Sequence, residues 1–227
     1  MADPVKTRRS YHSPRRQEQA AATRRAILEA AQRLFERQGY PATTMEAIAA
    51  EAEVALKTVY VAFTTKSGLL RALWDLRLKG DQSDAPVADR SWYRQVIEEP
   101  DPERQLRLTA HHSRVVKQRI GTIFKALRSA APVDADAEAL WRLIQSDFHH
   151  NQQVIVESLH AKHALRPDLD VARATDMLWT LNHPDVWLLL VDQRGWTPEQ
   201  WEQWFADTAC AQLLRREMVD PRDDTTP

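Results

Sequence analysis

Side chains that suit phosphate oxygens are concentrated between residues 58 and 66 of the 227-residue chain. Thr58 and Tyr60 carry hydroxyl groups, and Lys66 carries a cation. Because Thr65 is a candidate N-cap, the Lys66 ammonium falls in the first turn of a helix, where a cation opposes the helix dipole. This position favours an external anion, and a phosphate fits.

Two short helices joined by a tight turn are predicted to position these side chains. Thr43 followed by Glu46 predicts a capping box and a helix that begins near Thr44. The apolar phase breaks after Val54 and resumes at helical spacing with Leu56, Val59, Tyr60 and Phe63. Short helices occur in any all-α protein, but this spacing is also that of a helix-turn-helix, whose second helix enters a DNA major groove.

The stretch also contains a specific set of residues: Gly39-Tyr40, Thr43-Thr44, Ile48-Ala49, Val54, Thr58-Val59-Tyr60, Phe63, Lys66 and Leu69-Leu70. In these residues, Thr43 to Leu73 resembles the DNA-binding domain of the tetracycline-repressor (TetR) family of bacterial transcription regulators. The resemblance implies that phosphates are held by Thr44, Tyr60 and Lys66. It implies that base edges are faced by Met45, Leu56, Lys57 and Val61, and Thr58 could do either.

Three positions depart from the family pattern. The turn position that usually holds Gly is Glu53, which costs roughly 1 kcal/mol if its backbone must be left-handed. The residue before the second helix is Ala55 rather than Ser, and it cannot cap. Ala62 replaces the aromatic or His expected before Phe63, so one phosphate contact is expected to be missing.

The rest of the chain predicts a helical bundle. Long helices are predicted from Asp101 to about Ala130 and from about Asp136 to Ala164, with a shorter one after Asp170. His183-Pro184-Asp185 then opens the apolar run VWLLLV, and Thr197, Pro198 and Gln200 predict a capped last helix. The resemblance implies a symmetric dimer formed by these last helices, with an interface of Trp187, Leu190, Val191, Trp201, Trp204, Phe205 and Thr208.

Tryptophan is concentrated in this bundle, which holds seven of the eight in the chain. Core packing accounts for most such aromatic residues. The resemblance implies that some of them line a mostly apolar pocket for a small molecule. The candidate pocket residues are His112, Phe124, Trp141, Phe148, Trp179, His183 and Trp187.

Charge divides the chain into two parts. The formal charge is +6 over residues 1–80 and −7 over residues 81–227, so the overall −1 hides a basic end that contains the helix-turn-helix. We predict a disordered basic arm (1–16), a DNA-binding domain (17–80), a regulatory and dimerisation domain (81–218) and a disordered tail (219–227). The arm is either a solubilising tail or a segment that follows phosphates or a minor groove.

Composition favours an all-α, cytoplasmic protein. Five glycines and few strand-like alternations argue against sheets. The single cysteine, Cys210, excludes an internal disulfide, and no apolar run is long enough to span a membrane. Within the domains, helices are predicted over Gln17 to Gln38 and from Lys66 to about Gly80, with a possible short helix in SWYRQVIEE.

Enzymatic and metal-binding alternatives are weaker. His160 and His163 can share a helix face, as can His149 and His160, but no Cys or carboxylate completes a metal site. No nucleophile elbow, phosphate loop or paired-carboxylate motif is present, so neither a catalytic residue nor a cofactor is predicted. We interpret the sequence as a homodimeric regulator, a repressor released from a palindromic double-stranded DNA operator by a small, largely apolar effector. The alternatives are a constitutive DNA-binding dimer and an α-helical enzyme.

Overall fold

The computed structural model describes residues 14–79 and 90–215, and every regular element within these ranges is helical, which confirms the predicted all-α class. Residues 1–13 of the predicted arm, the boundary near Gly80 and the tail 219–227 lie outside these ranges. No helix in the described part of the chain is long and apolar enough to cross a membrane. The helices are α1 (Pro14–Ala42), α2 (Met45–Glu51), α3 (Leu56–Phe63), α4 (Lys66–Lys79), α5 (Ser91–Glu98), α6 (Pro102–Ala130), α7 (Ala135–Ala161), α8 (Val171–Leu181), α9 (Pro184–Trp187), a π-helix (Leu188–Gln193) and α10 (Pro198–Leu213).

The first four helices form a small head around one apolar core. Ile27 and Leu34 of α1, Ile48 of α2, Val59 of α3 and Leu69 of α4 are all buried in it. The first helix begins at Pro14, three residues before the predicted start, because proline is tolerated in the first turn of a helix. It breaks at Gly39, whose φ of 78° is in the left-handed region that favours glycine.

The predicted capping box at the start of α2 is wrong. The N-cap is Thr44, whose hydroxyl oxygen accepts a hydrogen bond from the backbone N–H of Ala47. Thr43 is buried instead, and its hydroxyl donates to the carbonyl oxygen of Gly39. The two threonines are adjacent and equally suited to capping, so the path of the backbone after Gly39 decides between them.

The remaining helices form a body in which α6 packs against α7 and α10, and α8 packs against α7. Asp101, Asp170 and Thr197 cap α6, α8 and α10 as predicted, and Thr197 with Gln200 forms the predicted capping box. The predicted helix of 136–164 runs instead over Ala135–Ala161 with Asp134 as its N-cap, because the carboxylate of Asp134 accepts from two backbone amides.

The apolar run after His183 is not one regular α-helix. His183 caps α9, which passes after one turn into the π-helix Leu188–Gln193. A π-helix shifts the side chains relative to an α-helix, since each turn contains more residues. Leu188 is buried, whereas Leu189 is 51% exposed, so the body covers only part of this run.

Head and body meet along α6, which packs against α1 and α4, and also at the N-terminus of α7. The hydroxyl of Tyr40 donates to the carboxylate of Asp134 over 2.6 Å, and the hydroxyl of Ser67 donates to Asp136 over 3.4 Å. The first α7 residues are therefore bonded both to the end of α1 and to the start of α4.

Candidate functional site

The turn between α2 and α3 has the geometry of a helix-turn-helix. Glu53 lies in the turn with a φ of 54°, so the left-handed backbone expected at this position is present without the usual glycine. Such a backbone costs a residue with a Cβ roughly 1–2 kcal/mol. Ala55 is the N-cap of α3 and provides no side-chain cap. The first amides of α3 are therefore left for water or for an anion.

Helix α3 buries one face and presents the other. Val59 and Phe63 are buried in the head, whereas Tyr60 and Val61 are 44% and 77% exposed. Lys57 is also exposed. Leu56 and Thr58 are half-buried, and Leu56 packs against the apolar core. The structure thus brings five of the predicted DNA-contacting residues together on one short helix.

Thr44 lies at the N-terminus of α2 with an exposed side chain. Its hydroxyl oxygen accepts from the amide of Ala47 over 3.2 Å, which leaves the hydroxyl proton available for donation. An N-cap hydroxyl in this state can satisfy both a helix amide and a phosphate oxygen.

Met45 does not match its predicted role. Its side chain is only 7% exposed and belongs to the apolar core of the head. The sequence interpretation of Met45 as a residue that faces base edges is therefore corrected. The shift of the N-cap from Thr43 to Thr44 places Met45 at the first helical position, from which its side chain turns inward.

Lys66 also differs from its prediction, because its amine is used inside the head. Its Nζ atom donates to the carbonyl oxygens of Tyr40 and Thr43, over 2.9 and 2.8 Å. It also lies 4.1 Å from the centre of the Tyr40 ring, a cation–π distance. Burial lowers the pKa of Lys66, and the nearby Asp134 opposes that shift. Lys66 therefore holds the end of α1 and the residues before α2 in place. The prediction that its amine is free to bind a phosphate is corrected.

Arg24 was missed in the sequence and holds the C-terminal end of α3. Its Nη1 atom donates to the carbonyl oxygen of Ala62 over 2.7 Å, and its guanidinium lies 4.1 Å from the centre of the Phe63 ring. A cation at a helix C-terminus complements the helix dipole. The partners are 38 residues apart, and no local pattern connects them.

A cavity of about 440 Å³ lies in the body beneath the head. Helices α4, α5, α6 and α7 form its walls, together with residues around the start of α9. This volume falls in the range of small-molecule sites. The apolar lining includes Trp74, Leu78, Trp92, Val96, Val116, Ile120, Phe124, Ile144, Phe148 and Ile155.

Three of the seven predicted pocket residues line this cavity: His112, Phe124 and Phe148. The other four do not, which corrects their assignment. Trp141 packs behind Phe124 with ring centres 5.1 Å apart, and Trp179 packs edge-on against His183 at 4.9 Å. His183 caps α9 and is within hydrogen-bond distance of Gln145, and Trp187 packs against Trp201. Of these four residues, Trp141 and His183 pack against the cavity-lining ring of Phe124.

Lys117 is a buried charged residue of the cavity wall that the sequence interpretation missed. Its side chain is only 4% exposed, and its Nζ atom donates to the side-chain oxygen of Asn182. The amide nitrogen of Asn182 donates in turn to Gln152 over 3.1 Å. A signal was present, because Lys117 lies three residues before Ile120 and seven before Phe124, on the apolar face of α6.

The predicted dimer interface is partly corrected. Trp201 and Phe205 are fully buried within the protomer, and Trp187 is nearly so, because these rings pack against one another. They cannot contact a second subunit directly. The remaining predicted interface residues are half-buried: Leu190, Val191, Trp204 and Thr208.

The histidines form no metal centre in the described residues, where no group of three or more His, Cys, Asp or Glu side chains is arranged to hold an ion. His160 and His163 are exposed. His149 is within hydrogen-bond distance of Asp176 instead.

Comparison with known proteins places the head in a family. Residues 27–73 match the family described as bacterial regulatory proteins, tetR family. No curated protein sequence matches the chain. Among solved structures, a SmeT–triclosan complex has a TM-score of 0.68 at 19% identity and covers 91% of this chain and 98% of its own. NalD from Pseudomonas aeruginosa, described as the secondary repressor of the MexAB-OprM multidrug efflux pump, has a TM-score of 0.66 at 23% identity, covering 87% and 98%. A TetR transcription regulator from Haloarcula marismortui has 0.63 at 20%, covering 85% and 99%.

Proposed function

We propose that this chain, whose residues 27–73 match the tetR family of bacterial regulatory proteins, is a DNA-binding repressor released from its operator by a small, largely apolar effector. Residues 17–80 would form the DNA-binding domain and residues 81–218 the regulatory and dimerisation domain. The SmeT–triclosan complex and the description of NalD as a repressor support this reading by analogy.

In this proposal α3 enters the major groove. Lys57, Tyr60 and Val61 are exposed on it, with Leu56 and Thr58 half-buried on the same helix. Thr44 would bind a phosphate beside the groove, as would the uncapped N-terminus of α3. The enzymatic alternative has no support in the regulator family that residues 27–73 match.

A dimer supplies the second head that a palindromic operator requires. The half-buried residues Leu190, Val191, Trp204 and Thr208 remain candidates for its interface, and the exposed Leu189 joins them. A second subunit on this surface would cover the part of the apolar run that the protomer leaves exposed.

The observation that carries the proposal is that two helices connect the cavity to the head. Helix α4 begins at Lys66, which holds the head, and carries Trp74 and Leu78 into the cavity wall. Helix α7 begins next to Asp134, which is bonded to Tyr40 of the head, and carries Ile144 and Phe148 to the same wall. A molecule that changes the spacing of α4 and α7 would move the head.

Release requires that the effector bind the DNA-free form more tightly than the DNA-bound form. The factor by which it weakens DNA binding equals the factor by which DNA weakens effector binding. A coupling of 1–3 kcal/mol, typical of allosteric proteins, corresponds to about 5- to 150-fold.

The test is binding of the purified protein to DNA from beside its own gene, compared with scrambled DNA of the same length over a range of salt concentrations. We expect a large preference for the native DNA and a steep dependence of the logarithm of affinity on that of salt. Lys57→Ala should change the sequence preference. Lys125→Ala removes an exposed lysine that pairs with Asp192 of the body, so it serves as the matched control.

Two outcomes would count against the proposal. Equal, weak binding to both DNAs at every salt concentration would remove the DNA-reading role assigned to α3. If the protein bound its DNA specifically but no cavity ligand changed that affinity, it would be a constitutive DNA-binding protein.

A further inference from the structure

The cavity wall contains a lysine that the apolar surroundings do not satisfy. Lys117 extends from the middle of α6, with its amine covered by the side chains of neighbouring helices. Lysine is almost never fully buried unless its charge is paired. A buried lysine on the wall of a cavity therefore needs a specific partner for its charge.

The contacts of its Nζ atom are few. One donor goes to the side-chain oxygen of Asn182. The Trp201 ring lies 4.6 Å away and the Phe148 ring 5.9 Å away, so the amine has two aromatic faces as further neighbours. An ammonium group carries three donors. Within residues 14–79 and 90–215, no carboxylate forms an ion pair with it.

Nearby polar groups do not replace the missing anion. Asp147 also lines the cavity, but its side chain is exposed and forms no ion pair with Lys117 within the described residues. Asn182 is already bonded to Gln152, which holds its oxygen towards the lysine. Asp185, the acid at the start of α9, is paired with Arg128. Burial lowers the pKa of Lys117 well below its ordinary value, since nothing compensates the desolvated charge.

We propose that the cavity binds an apolar molecule with one acidic group, a carboxylic acid or an acidic phenol, and that the acidic group lies on the Nζ atom of Lys117. This inference rests on the proposed function, because it names the chemical class of the effector. The apolar walls would take the body of the molecule, and the amine would fix its orientation.

Binding of such an acid needs no proton from outside the complex. An acid that enters in its neutral form transfers its proton to the Lys117 amine, which leaves an ammonium next to the anion of the ligand. The resulting pair has a charge-assisted hydrogen bond in a site of low dielectric constant, where such bonds are strongest. A neutral analogue of the same shape can fill the apolar space but cannot form this pair.

The experiment uses matched probes: 2-naphthoic acid with 2-naphthamide, and decanoic acid with decanamide. Binding is measured by calorimetry on the full chain without DNA. We expect the wild-type protein to prefer each acid over its amide by about ten- to a hundredfold, which is the range for hydrogen bonds to charged groups. Lys117→Met should remove the preference, whereas Lys125→Met, a change at an exposed lysine, should retain it.

A second variant keeps the lysine. Asn182→Asp has nearly the same shape and supplies an internal carboxylate where Lys117 now finds an amide oxygen. It should also abolish the preference for acids, because the amine then already has an anionic partner. Thermal melts of both variants report whether each remains folded.

The inference is overturned if the wild-type protein binds acids no better than amides, or if it binds no probe acid. It is also overturned if folded Lys117→Met keeps the preference. Release of DNA by the same acids is measured separately. Lys117-dependent acid binding that leaves DNA affinity unchanged would contradict the proposed repressor mechanism but not the acid site.

Discussion

Two buried or half-buried lysines, one in the head and one in the body, have opposite surroundings. Lys66 donates to two backbone carbonyls and lies on an aromatic ring within the electrostatic influence of Asp134. Lys117 donates to one amide oxygen and forms no ion pair in the described part of the chain. Burial lowers the pKa of both amines.

The difference indicates what each region is built to bind. The chain itself completes the contacts of Lys66, so the head is organised without a ligand. The contacts of Lys117 are incomplete, and Lys117 lines a cavity of about 440 Å³. In the proposed repressor, the head would stay organised without a ligand and the body would change when its missing partner binds.

The largest effect is expected from Lys66→Ala, which removes both carbonyl bonds and the ring contact. We expect the free energy of unfolding to fall by about 2–4 kcal/mol, because hydrogen bonds from a charged donor contribute about 1.5–3 kcal/mol each and are not additive. Urea denaturation measures this loss. Lys57→Ala, on the exposed face of α3, is the control and should change stability by less than about 0.5 kcal/mol. If Lys66→Ala left stability unchanged but weakened the salt dependence of DNA binding, Lys66 would bind a phosphate after all.

The next effect has the opposite sign. Lys117→Met should raise the free energy of unfolding by about 1–3 kcal/mol near neutral pH, since burying an incompletely bonded polar group costs about that amount. Denaturation of the ligand-free protein measures it. A loss of stability would mean that the chain already satisfies Lys117 and that the contrast with Lys66 is false.

The stability difference between these two proteins also has a predicted pH dependence. In the wild type, the folded-state pKa of Lys117 lies below the ordinary 10.5 of the unfolded chain. Between these two pKa values the unfolded state binds more protons, so the wild-type free energy of unfolding rises with pH. The advantage of Lys117→Met should therefore be greatest below the folded-state pKa and shrink as the pH approaches 10.5. A constant difference would contradict the assigned cause.

Tyr40→Phe removes one of the contacts between the head and the body. It removes the 2.6 Å bond to Asp134 and should cost about 1–2 kcal/mol of stability, because the acceptor is a carboxylate. It should also reduce the factor by which a cavity ligand weakens DNA binding. Titration of DNA binding with and without ligand measures that factor. Thr175→Val, which loses a hydrogen bond to the carbonyl oxygen of Val171 within α8 and does not line the cavity, is the control that should leave the factor unchanged if the Tyr40 contact is specific.

The smallest effect is expected in the head, at a residue whose backbone conformation is unfavourable and has no connection to a ligand. Glu53 has a φ of 54° and an exposed side chain, so Glu53→Gly should stabilise the head by about 1 kcal/mol. Thermal unfolding measures the gain. Ala50→Gly, at an exposed site in α2, should instead lose about 0.5–1 kcal/mol. Equal changes in the two variants would show that the backbone of Glu53 is not strained.

The sequence determined the elements whose signals are local. Caps at Asp101, Asp170 and Thr197 were correct because a cap depends on a few neighbouring residues. The uncapped start at Ala55 was also predicted from one short motif, and the left-handed backbone at Glu53, conditional from the sequence, is present. The family was recognised from the same motif.

Tertiary structure alone decided which side chains already have partners within the protein and which remain free to bind another molecule. Lys66 and Arg24 find backbone carbonyls 23 to 38 residues away, and those distances depend on how helices pack. Trp201 and Trp187 turned inward together, although their spacing also fitted a dimer seam. Lys117 stood in the apolar pattern of α6, but only the surrounding helices could show that no carboxylate in the described ranges reaches it. Hydrogen-bond and ion-pair partners are set by contacts between distant segments, and local sequence does not encode them.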